Sequence, residues 1–134
     1  MNMARIRTPL LILYVLAIFF MSSRPYAFAP GPDFQMKDKV GHMIEYTILG
    51  SLLFSAVGWV AGYRRRFVTF VFLVAIGSSI ASLDEMFQSY IPGRRTDVFD
   101  WVADSIGVIV GVGIMVLVAA RARWGDDPVP EKIS

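Results

Sequence analysis

Four apolar blocks alternate with short polar gaps along the chain. They run from Pro9 to about Met21, from Val40 to Ala61, from Phe67 to about Leu83 and from about Trp101 to Ala120. A helix that crosses a bilayer needs roughly 20 predominantly apolar residues. Blocks two to four meet that length or approach it, and the first is short. No gap is long enough to hold a folded domain of its own. The pattern therefore predicts an all-α protein, an integral membrane bundle of four transmembrane helices.

The polar positions inside this pattern are not scattered. Most of the chain's charge lies at the ends of the blocks, and one segment, from Asp84 to Asp104, concentrates it. Asp84 and Gln88 are four apart, so they share a helix face, with Glu85 beside them. Pro92-Gly93 predicts a turn, followed by Arg94. Asp97, Asp100 and Asp104 are spaced three then four, again one face, and Gly107 and Gly111 continue it into the apolar run. The second block opens on Asp38 and Lys39, with His42, Glu45 and Tyr46 in its first two turns. Asp38, His42 and Tyr46 recur every four residues. Ionisable groups at this depth are costly unless they face a protein interior, a wet cavity or the interface.

The remaining segments set the topology. The first block follows Arg5 and Arg7 and precedes Ala27-Phe28-Ala29, which resembles a signal peptide with its cleavage site. Pro30 directly after that site disfavours the cut, so the expectation is an uncleaved first helix over 1–23. Residues 24–39, with Pro25, Pro30, Gly31 and Pro32, read as a loop. Residues 40–120 hold the other three helices, and 121–134 read as a disordered tail. Basic residues near helix ends mark the cytoplasmic side. Eight lie on the side of residues 5, 65 and 121, against five on the side of residues 39 and 94. The expectation is a cytoplasmic (inner) membrane protein with both termini inside and the polar segments facing outward. Gly107, Gly111 and Gly113 are expected to admit a close neighbouring helix.

Composition sharpens this in three ways. Mean hydropathy is +0.55 and 55% of residues are hydrophobic, too apolar for a soluble domain of 134 residues. Cysteine is absent, which excludes disulfides and thiolate chemistry. Net charge is only +2 with no continuous basic stripe, so nucleic acid is not an expected partner.

Two kinds of explanation compete for the charged residues. Carboxylates with one histidine can hold a hard divalent cation. Arg94 can fork onto a phosphate or carboxylate. The structural explanation is simpler: Asp97 and Asp100 cap a helix start, Asp84 and Glu85 pair with Arg94 and Arg95 across the turn, and Lys39, Tyr90 and Trp101 are interfacial. His42, Glu45 and Asp104 resist it best, because they lie one to two turns inside an apolar block. No standard metal signature occurs, and there is no G-x-S-x-G, H-E-x-x-H, P-loop or dinucleotide fingerprint. A lone histidine also disfavours chemistry that needs one histidine as nucleophile and another as acid.

Taken together, Asp38-Lys39-x-x-His42-x-x-x-Tyr46, Asp84-Glu85-x-x-Gln88, Pro92-Gly93-Arg94 and Asp97-x-x-Asp100-x-x-x-Asp104-x-x-Gly107-x-x-x-Gly111 resemble the VanZ-like family over residues 36–115. One departure is Asp104, a position that is often Asn in that family. The resemblance implies a small bacterial membrane protein with a role in the cell envelope; the name-giving member is linked to resistance to the glycopeptide teicoplanin. It supplies no reaction. The leading expectation is a pocket that binds an anionic lipid, a lipid-linked cell-wall intermediate or a lipophilic glycopeptide. The alternatives are a metal-assisted hydrolase or transferase of lipid-linked phosphate, and a structural protein that assembles with membrane partners. Whether the protein is an enzyme, and whether a divalent cation belongs to it, the sequence leaves open.

Overall fold

The computed structural model describes residues 4–24, 37–57, 66–94 and 96–124, with the backbone alone for 4, 5, 37, 38, 66 and 122–124. Among these residues it contains four α-helices and no strand: α1 (Ala4–Ser22), α2 (Lys37–Val57), α3 (Arg66–Gln88) and α4 (Val98–Trp124). Three spans are long and apolar enough to cross a membrane: Lys39–Val57, Phe67–Gln88 and Val98–Arg121. The apolar part of α1, Ile6–Ser22, is shorter. At 1.5 Å per residue it covers about 25 Å of a hydrocarbon core of about 30 Å.

The distribution of side chains is that of a protein solvated by lipid. Leu13 and Leu117 are 65% and 62% exposed, while Asp84 and Asp104 are 1% and 0% exposed. Water as the only solvent would favour the reverse, because apolar area is driven inward and unpaired charge outward. The apolar interior that remains is small. It joins Ile18 of α1, Leu49 and Leu53 of α2, Leu73 of α3 and Val108 and Val112 of α4.

Successive helices run antiparallel, so the end of α1, the start of α2, the end of α3 and the start of α4 meet at one end of the bundle. Polar contacts confirm the meeting: Ser22 reaches Asp84, Lys39 reaches Asp97 and Asp100, and His42 reaches Asp104. α2 packs most extensively on α4. The reason is the absence of side chains at Gly107 and Gly111. A Cβ on Gly107 would run into the Met43 carbonyl oxygen, and one on Gly111 into that of Thr47. Gly113 departs from the sequence expectation, since a Cβ there meets nothing within 4 Å. It sits two residues past Gly111, about 200° around the helix, and so faces away from α2.

Candidate functional site

The site is built from four local structures. α3 ends in a tight turn. The Arg94 N–H bonds the Ile91 carbonyl at 3.1 Å, and Gly93 takes φ 87°. Proline at the second position and a positive-φ glycine at the third are what a type II turn requires. α4 then starts on a side-chain cap: Asp97 Oδ1 accepts the Phe99 N–H at 2.9 Å. The backbone N–H of Asp97 donates in turn to Glu85 Oε2 at 3.3 Å, which fixes the start of α4 against the end of α3.

Across the mouth, the Lys39 ammonium bonds Asp97 at 2.7 Å and Asp100 at 2.6 Å. The Lys39 hydrogen bond, helped by the Phe99 N–H, holds the Asp97 carboxyl below the usual carboxylate range. Deeper in, His42 Nδ1 and Asp104 Oδ1 lie 3.0 Å apart, both residues buried. On the other flank, Asp84 Oδ2 accepts from Ser22 Oγ and from Gln88 Nε2, each at 2.8 Å. The Gln88 carbonyl oxygen then accepts from Arg94 Nη1 at 3.1 Å, and Arg94 Nε donates to the Arg24 carbonyl at 3.3 Å. Glu45 is half-buried one turn below His42, and Tyr46 is fully buried.

Eleven of the twelve residues singled out by sequence are thus placed at one end of the bundle; the side chain of Asp38 lies outside the described residues. The arrangement corrects one expectation. Arg94 does not pair with Asp84 or Glu85: its hydrogen bonds go to Gln88 and Arg24, and Arg95 lies outside the described residues. Gln88 bridges Arg94 to Asp84, accepting from the first and donating to the second.

Charge is unevenly matched. Four carboxylates are buried here, those of Asp84, Glu85, Asp100 and Asp104. Asp100 has Lys39 and Asp104 has the His42 ring, which is a cation only when protonated, while among the described residues Asp84 and Glu85 have hydrogen-bond donors but no cation within 4 Å. Removing a carboxylate from water costs several kcal/mol or more unless a proton or a cation neutralises it. At the mouth, among the described residues, Arg94 donates to no carboxylate.

A family model described as VanZ/LLP1 matches residues 8–119. The chain belongs to the VanZ/LLP1 family. It is a multi-pass membrane protein of that family, and the match takes in α1, beyond the 36–115 stretch that carries the motifs. No curated protein and no solved structure matches significantly.

Sequence reasoning missed the contribution of α1. Ser22 bonds Asp84, the Arg24 carbonyl holds Arg94, and the Tyr14 hydroxyl donates to the Glu45 carbonyl at 3.0 Å. The one signal available was topological. With four antiparallel helices, the end of α1 shares a side with the start of α2, so a serine in its last turn was a candidate.

Proposed function

We propose that the protein binds the phosphate-bearing headgroup of an anionic lipid or lipid-linked cell-wall intermediate at the mouth of this site. The observation that carries the reading is Arg94. Its guanidinium is braced by Gln88 and by the Arg24 carbonyl, and among the described residues no carboxylate lies within 4 Å of it. An arginine oriented this way, at a membrane boundary, offers its remaining N–H groups to an anion in forked geometry. The exposed apolar faces beside it, such as Tyr90, Val98 and Phe99, suit an acyl or prenyl tail. The basic residues favour an outward-facing mouth, by eight on the opposite side to five on this one. A lipophilic glycopeptide shares the amphiphilic character but needs no phosphate.

The test is a thermal-shift titration of the detergent-purified protein with short-chain phosphatidic acid, against diacylglycerol of the same chain length. The reading predicts saturable stabilisation by the phosphate lipid alone, with affinity at least tenfold weaker in Arg94→Ala. Equal responses to both lipids, or an unchanged Arg94→Ala, would contradict it.

A further inference from the structure

The geometry points to a divalent transition-metal ion, of the zinc or manganese class, held by His42, Glu85 and Asp104. One nitrogen of the His42 ring and one oxygen from each carboxylate lie within 4.8 Å of one another, and all three residues are buried. Two ligands on opposite sides of an ion, at 2.0–2.4 Å each, stand about 4–4.8 Å apart. The three atoms are therefore close enough together to reach one ion. Each comes from a different helix: α2, α3 and α4.

A second observation is independent of the clustering. Glu85 Oε1 and Asp104 Oδ2 are buried with no hydrogen-bond partner, in residues that are 8% and 0% exposed. Unpartnered carboxylate oxygens at that depth carry a large desolvation cost, and a directly coordinated cation removes it. The other oxygen of each carboxylate is already held. Glu85 Oε2 takes the Asp97 N–H, and Asp104 Oδ1 lies against the His42 ring. The Asp97 N–H is an outer contact of the kind that orients a ligand toward a metal, while the His42–Asp104 contact joins two of the three ligands. Among the described residues, Lys39 is engaged by Asp97 and Asp100, and Arg94 by Gln88 and the Arg24 carbonyl.

The donor set selects the class of ion. One imidazole nitrogen with two carboxylate oxygens suits zinc or manganese, whereas magnesium prefers oxygen and water throughout. Three protein ligands leave further positions on the ion for water or for an oxygen of a bound molecule. The site stands without the headgroup reading, since the ion is assayed alone.

The full chain is purified in detergent, stripped with chelator and titrated calorimetrically with Zn²⁺ alone and with Mn²⁺ alone. One ion per chain is expected, with affinity at least tenfold weaker in Glu85→Gln and in Asp104→Asn, and unchanged in Ser51→Ala. Pulsed electron paramagnetic resonance of Mn²⁺-loaded wild type supplies a readout that needs no variant: coupling to one imidazole nitrogen is expected. No saturable binding, equal affinity in all variants, or bound manganese without nitrogen coupling (an adventitious ion only) would each overturn the assignment.

Discussion

His42 and Asp104 stand 62 positions apart in sequence and 3.0 Å apart in space, inside the apolar part of the bundle. Their contact joins α2 to α4 one to two turns inside the apolar spans, where an ionisable group is costly to accommodate. Asn at position 104 keeps an oxygen facing the ring, whereas Leu removes it. Asp104→Asn is expected to hold stability within about 1 kcal/mol of wild type. Asp104→Leu is expected to lose about 3–5 kcal/mol, as when one member of a buried pair is deleted. Denaturation followed by circular dichroism in mixed micelles separates the two.

Lys39 and Asp97 make the pH-sensitive contact at the mouth. Asp97 is held below its ordinary value in the folded protein, so its contribution is present above the unfolded value of about 3.9. It is lost as pH falls from there through the lower folded value. The midpoint of thermal unfolding should therefore drop with acid in wild type, and drop less steeply in Asp97→Asn. Parallel curves for the two proteins would contradict the assigned contact.

Gly111 and Gly113 should answer the same substitution differently. A methyl group on Gly111 meets the Thr47 carbonyl, while one on Gly113 meets nothing within 4 Å. Gly111→Ala is expected to cost about 1–3 kcal/mol through forced separation of α2 and α4. Gly113→Ala should be neutral or slightly stabilising, since alanine favours helix. Unfolding midpoints of the two variants decide this.

Topology has its own check. Reporter fusions at residues 65 and 93 should report opposite faces of the membrane, with 65 cytoplasmic. The same face for both would remove the odd number of crossings between them, and with it the outward mouth.

The helices and the identity of the polar stripes were legible because each depends on local spacing. The three-then-four rhythm of Asp97, Asp100 and Asp104 placed them on one face with Gly107 and Gly111, and that face does meet Lys39, His42 and Thr47 of α2. Pro92-Gly93 announced its own turn through the φ it needs. Partner choice across helices was not legible. Whether Arg94 bonds Asp84 or Gln88 depends on how the turn after α3 places it, and whether Ser22 reaches Asp84 depends on the registry of α1 against α3. Neither distance is encoded by spacing within one helix. Gly113 shows the same limit in reverse, because glycine frequency marks close packing without saying which face is packed.

The most direct measurement is native mass spectrometry of the protein released gently from detergent, with co-purified lipid retained, for wild type and Arg94→Ala side by side. The account predicts a mass increment from a phosphate-bearing lipid on wild type, much reduced in Arg94→Ala while the variant stays folded. Wild type carrying no anionic lipid, or Arg94→Ala retaining it equally, would contradict the claim that this end of the bundle binds a phosphate headgroup.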